Sequence, residues 1–383
     1  MKKSISFFCV LFLIPLFVLS CVPAFAAEPD GQITVRARVE EVVSDEIAST
    51  SYSGGEITTR VLTLRVRVLE GAFEGQTALI RQVFDEISLP SAYPAKAGDL
   101  LFVTLELDEQ NLLVGNAADY VRDLPLALLG GGFLLFLILF GRQKGVKTVL
   151  SLAVTCLVVF GLFFPLAVRG INPVWLSLLC AALMTGFTLF LVCGFTRKAC
   201  SAILGCLGGL SVAGILAAVF SYAMRLSGIV DEEAAFLRFI SDEFVLDFKG
   251  LLFAAIIIGA SGAAMDVAVS IASSLDELAQ KAPDLSARQL FSSGVVIGRD
   301  IMGTMSNTLI LAYVGGAIHL ILLLYAYPVP FSHLINRETV AAEILIALCG
   351  SMGMLSAIPL TALISSLLHH RAVPPISPGK SPE

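Results

Sequence analysis

Seven blocks of this chain are too long and too apolar to belong to an ordinary soluble core: about 124–140, 147–168, 173–195, 199–222, 250–272, 301–326 and 340–368. A helix needs roughly 20 consecutive apolar residues to cross the ~30 Å hydrocarbon layer. In lipid the backbone must satisfy its own hydrogen bonds, which makes the helix the natural spanning form for such blocks. The first block is barely long enough and borrows residues such as Val121 from its flank. The last is long for one crossing, and Gly350, Gly353 and Pro359 offer places for a kink or break. Composition agrees: 15% of residues are charged and 56% hydrophobic, whereas soluble domains average about 25% charged.

Ahead of the blocks stand two other regions. Residues 1–26 have the form of an export signal, with Lys2 and Lys3, an apolar run to Ser20, and Ala24-Phe25-Ala26 as a cleavage site. An uncleaved first helix is the alternative. Residues 27–122 read as a small β-barrel or β-sandwich domain. Short β-branched runs at 33–39, 60–69, 77–83, 100–107 and 111–115 are punctuated by Gly71, Gly75 and Gly98-Asp99. The run 61–68 alternates, with Leu62, Leu64, Val66 and Val68 on one face. Residues 28–122 carry 16 acidic against 8 basic side chains, so nucleic acid is not an expected partner. The domain suits a folded cap or assembly module, with solute binding as the other reading.

None of the eight cysteines, Cys9, Cys21, Cys156, Cys180, Cys193, Cys200, Cys206 and Cys349, lies in 28–122. No disulfide framework is expected there, and no spacing suggests a metal. Lys and Arg concentrate in alternate links: Arg142, Lys144 and Lys147, then Arg197 and Lys198, then Lys281, Arg288 and Arg299, then Arg371 and Lys380. These links belong inside. The expectation is a multi-pass cell-membrane protein with the β domain outside and the C-terminus cytoplasmic. Residues 123–371 form its helical domain and 372–383 a disordered tail. Residues 231–248 resemble a surface amphipathic helix, with Phe236, Phe239, Ile240 and Phe244 set among acids.

The chemistry concentrates in 259–313. Asp266 lies inside an apolar block, and an ionisable group there costs about 2.5 kcal/mol or more, so it marks a functional site by default. Ser270 and Ser273/Ser274 follow it at helical spacing, and Gly259, Gly262 and Ala263 extend the stripe. The next block offers Gly303 and Asn307, with Arg299 and Asp300 at its mouth. Asp266 and Asn307 lie at similar depth, so a contact between them is expected. Three readings follow. Asp266 exchanges a proton or cation during transport, with Asn307 and the serines as ligands. It pairs with Arg299 as a structural lock. Or it is a hydrogen-bonded joint with no traffic. His319 is read as a core residue. The glycines at 205, 208, 209 and 214 mark close helix packing.

The segments GASGAAMDVAVSIASSLDEL (259–278) and GRDIMGTMSNTLILAYVGG (298–316) resemble the YibE/F family of bacterial multi-pass membrane proteins. VLEGAFEGQ (68–76) adds a weaker match. The resemblance implies a membrane or transport protein and carries no catalytic roles with it. The expected function is movement of an ion or small solute around Asp266 and Asn307. The alternative is a non-transporting assembly or sensor component whose β domain binds a partner. No H-E-x-x-H, G-x-S-x-G or P-loop appears, so enzyme activity is not expected. No cofactor is expected; the lipid bilayer and a second copy of the chain are the candidate macroscopic partners.

Overall fold

The computed structural model describes residues 33–52, 55–84, 93–107, 113–230, 232–240, 246–326 and 330–370. The expected signal at 1–26, the tail at 372–383 and Phe244 lie outside them. Contacts divide the chain into a unit of Pro23–Leu135 and a helical unit dominated by Phe136–Glu383.

In the first unit, five strands form a closed barrel in the order β1-β2-β3-β5-β4. They are β1 (Ile33–Tyr52), β2 (Gly55–Val68), β3 (Thr77–Phe84), β4 (Leu100–Leu107) and β5 (Leu113–Tyr120). β1 closes on β4 and β3 meets β5 in parallel; the other pairings are antiparallel. The period-two pattern explains the closure. Leu62, Leu64, Val66 and Val68 all point inward and are buried, with Ile80, Leu101, Val103 and Leu105 opposite. A barrel therefore replaces the barrel-or-sandwich alternative. On the outside, arginines alternate with acids and pair with them: Arg36 with Glu70 and Asp123, Arg65 with Glu41, Arg67 with Glu40.

β1 runs well past the expected end at 39. Its pairing with β4 stops at Arg38, while its pairing with β2 continues to Tyr52. β2 in turn meets β3 only from Arg60 onward. Residues 48–52 and 55–59 thus pair only with each other, as a two-stranded ribbon beyond the barrel wall, reached along β1 through register shifts at Val39/Glu41 and Val42/Ser44. A lone ribbon is marginal. At its base Arg60 grips Asp45 with two hydrogen bonds, at 2.8 and 2.6 Å. This guanidinium holds the Asp45 carboxyl below its ordinary range. The depressed value means that the clasp contributes fully above the unfolded pKa of about 3.9 and is lost as pH falls through the folded one. In hydrogen exchange corrected for intrinsic rates, the ribbon should loosen only at such acid pH. Arg60→Gln should loosen it at neutral pH and abolish that acid dependence.

The second unit holds the helices. They are α1 (Asp123–Val168), α2 (Pro173–Cys193), α3 (Arg197–Ala223), α4 (Glu232–Ile240), α5 (Phe248–Lys281), α6 (Ala287–Gly316), α7 (Ile318–Ala326), α8 (Phe331–Ile335) and α9 (Glu338–His370). Five are long and apolar enough to cross a membrane, or six when the bent pair α6–α7 counts as one span. The count of about seven is not established, and the difference lies at the start. The expected spans 124–140 and 147–168 run together in α1, interrupted at Arg142, where φ is 48° and ψ −124°. A Cβ on Gly145 would meet the Leu137 carbonyl. In a straight helix those residues stand about 12 Å apart along the axis, so the chain folds back sharply there. Further on, Pro165 cannot donate to the preceding turn, and the helix widens to a π-helical stretch at Leu157–Phe163.

The sixth expected span is bent by 64° between α6 and α7. α6 also starts earlier than its apolar block, at a capping box of Ser286 and Gln289. Conversely α9 stays one helix through Pro359, although a kink or break was available there. Its glycines serve packing instead.

That packing is a seam of small residues between α3 and α9. Gly205 faces Thr361, Gly209 faces Ala357 and the Gly353 carbonyl, and Ala213 faces Gly353. Four residues forward on α3 match four back on α9, so the helices run antiparallel and in step. A Cβ on Gly209 would fall 2.5 Å from the Gly353 oxygen and 2.8 Å from the Ala357 methyl. α5 completes the core with Ile257, Ala260, Ala264, Ala268 and Ala272, all fully buried. Overpacking a fitted interior costs typically about 1–3 kcal/mol, and here a rigid backbone oxygen cannot yield. Gly209→Leu should therefore lower the unfolding midpoint of the detergent-solubilised protein markedly, while Leu204→Ala, on the exposed side of α3, should leave it nearly unchanged.

Candidate functional site

α5 presents its core face through Ala260, Ala264, Val267, Ile271 and Leu275, spaced by three and four. Asp266 comes two residues after Ala264, about 200° round a helix of 3.6 residues per turn. It therefore points away from the core and is exposed, as are Ser270 and Gly262. The Ser270 hydroxyl donates to the Asp266 carbonyl at 2.8 Å, and Ser274 repeats this on Ser270 at 2.9 Å. Such back-bonding satisfies the serines within their own helix. The expected stripe exists, and it faces outward.

α6 meets the bundle through Leu290, Gly294 and Gly298, its buried residues. Gly294 sits against Leu275 of α5 and Ala362 of α9, and Gly298 against Ile358. At the other end the Tyr313 hydroxyl lies between Gly259 of α5 and Gly350 of α9, where either glycine's Cβ would come within 3.2 Å of it. Nine residues separate Gly298 from Asn307, which is about 900°, or half a turn beyond two full turns. Asn307 thus stands on the opposite side of α6 from the packing face. It is exposed, as are Arg299, Asp300 and Gly303.

The expected Asp266–Asn307 contact is therefore not made within one chain. The two residues share a depth but look in different directions. Nor does an ion pair join Asp266 to Arg299 among the described residues, so the structural lock is not formed. His319, expected in the core, lies in α7, which buries none of its described residues.

Two polar features carry no mark in the sequence. The Tyr313 hydroxyl is buried with no hydrogen-bond partner among the described residues, held between α5 and α9. Only the packing of α6 against α5 and α9 encloses it, through Gly259 and Gly350. At the far end of α9, His369 contacts Asp276 of α5 at 2.9 Å, and Arg197 donates to the Leu368 carbonyl at 3.3 Å. In the sequence, His369 is simply one of a group of positive side chains after the last span; its partner lies in another helix. A cavity of about 360 Å³ also opens between the start of α5 and the end of α3, with Arg225, Lys249 and Asp247 among its lining residues. Its Arg225 has φ of 56°, a conformation uncommon outside glycine.

Residues 129–371 match the family described as YibE/F-like protein. The chain belongs to that family. The match covers the helices and every residue of the polar face, from Asp266 through Asn307, and leaves the barrel outside it. No curated protein and no solved structure matches the chain. The YibE/F-like region is thus a multi-pass helical bundle with Asp266, Arg299 and Asp300 on its periphery. Cysteines introduced at Asp266 and Asn307 should react with a small membrane-permeant maleimide in protein solubilised as single chains, whereas one at Val267, buried beside Asp266, should react far more slowly. Equal rates at 266 and 267 would contradict the outward orientation.

Proposed function

We propose that this YibE/F-like protein moves a proton, another cation or a small solute across the cell membrane, with Asp266 as the group that takes up and releases it. The observation that supports this is the state of the carboxylate. It stands in an apolar helix, unpaired by any cation among the described residues, beside open space at Gly262. A carboxylate at that depth with no cation from its own chain beside it is costly as pure structure and useful as a reversible binding group. Ser270 and Asn307 supply further oxygens at similar depth, and Arg299 and Asp300 form the approach from the cytoplasmic side. In this reading the barrel lies outside the membrane and the C-terminus inside, as the Lys and Arg distribution requires.

A second reading, a non-transporting assembly component, is favoured by the ribbon. Val42, Val43 and Ile47 are exposed at its root, on the part of β1 that runs past its pairing with β4, a surface suited to a protein partner in the outer compartment. The two readings separate in proteoliposomes loaded with a pH-sensitive dye. If Asp266 carries the traffic, Asp266→Asn should abolish pH-gradient-driven flux while the unfolding midpoint is kept, and removal of 28–122 should spare it. Undiminished flux in Asp266→Asn would remove the carboxylate from the mechanism.

A further inference from the structure

Two contacts fix how α6 lies along α5. Gly294 is level with Leu275 and Tyr313 with Gly259, so the helices are antiparallel and the α6 residues level with Asp266 are near 304–305. At about 1.5 Å per residue, Asn307 lies only ~4 Å from that level along the axis. The carboxylate and the amide thus occupy the same layer of the membrane on two different outward faces. On its own face each is exposed and makes no hydrogen bond through its side chain among the described residues.

Lipid cannot satisfy either group, and an uncovered Asp in hydrocarbon is strongly disfavoured. Covering by an arbitrary apolar helix would leave both unsatisfied. The α5 face supplies an acceptor, the Asp266 carboxylate, and the α6 face supplies a donor, the Asn307 amide. A two-fold axis along the membrane normal keeps every residue at its own depth. It brings the α6 face of one copy against the α5 face of another, twice over, as an isologous interface requires. Room for close approach exists on both faces. A Cβ on Gly262 or on Gly303 would meet no atom within 4 Å, and small residues are what membrane helices use to approach.

We propose that a second copy of this chain covers this surface, with Asp266 of each copy hydrogen-bonded to Asn307 of the other. The site around Asp266 is then incomplete in a single chain. This assignment needs no assumption about transport, and its test reads association alone. In native membranes, full-length chains carrying two different tags are co-expressed in a cysteine-free background, one with Asp266→Cys and the other with Asn307→Cys. Copper-phenanthroline oxidation should join the two tags, whereas Asp266→Cys with Ile215→Cys, on the exposed side of α3, should not. Independently, mass photometry of the unmodified protein in nanodiscs should find two copies per particle. Asn307→Leu should reduce the two-copy fraction about tenfold or more, the scale expected for a hydrogen bond to a charged group. Cross-linking no greater than the Ile215 control overturns the proposal. So do single-copy wild-type particles, or a different protein joined to the Asp266→Cys chain in place of the second copy. If the cysteine-free chains do not fold, the mass measurement on the native sequence decides.

Discussion

The helical unit depends on the closeness of α3 to α9. Glycine, alanine, serine and threonine alternate along the seam, with Ser201, Gly205, Gly209 and Ala213 on one helix and Ser365, Thr361, Ala357 and Gly353 in step on the other. In lipid there is no hydrophobic gain from joining two apolar helices, so attraction must come from dispersion at short range. Small side chains at every fourth position let two backbones come close enough to collect it. The arrangement leaves two loose ends: the Thr361 and Ser365 hydroxyls are buried with no partner among the described residues, which costs stability. Bulk is thus sacrificed for proximity along the whole seam.

α5 then lies over the seam with its own small residues, and α6 touches the assembly at few points. Leu290, Gly294 and Gly298 are its only buried residues among those described. The Tyr313 hydroxyl adds a second anchor at the opposite end. Between the anchors, α6 is held by partly buried side chains such as Ile301 and Leu309. Local stability follows the density of buried contacts. The segment bearing Arg299, Asp300 and Asn307 therefore belongs to the less constrained part of the unit, while the seam is its most constrained.

Much of this was legible in the sequence, for physical reasons that can be named. Alternation in 61–68 sufficed to place Leu62 and Leu64 inside a barrel, because period two has one interpretation on a strand. The Gly205–Gly209 spacing announced a close contact, although not its partner. The extension of β1 past residue 39 leaves little trace because 40–46 is rich in charge, and strands without a buried face carry no apolar signal. The orientation of Asn307 escaped for another reason. Depth follows from counting along a helix, but azimuth needs the packing face. That face was set by Gly294, which reads as an ordinary residue of a polar link, and by Gly298 at the start of the 298–316 segment. The bent pair α6–α7 was likewise hidden, because apolar runs flank the 64° turn on both sides and Gly315-Gly316 alone marks it.

The seam also accounts for where the charge resides. Helices joined through glycine and alanine leave no interior volume for a carboxylate with its hydrogen-bond partners, and a buried unpaired charge costs far more than a peripheral one. The buried polar side chains of the packed helices are accordingly hydroxyls and thiols among the described residues, such as Thr185, Cys206, Ser201, Ser261 and Thr361. Asp266 can be tolerated only on the outward side of α5. A bundle tight enough to hold without bulky side chains thus forces its ionisable group to the rim. Whatever solvates that group must come from beyond the seam: water entering beside Gly262, a neighbouring chain, or a passing cation.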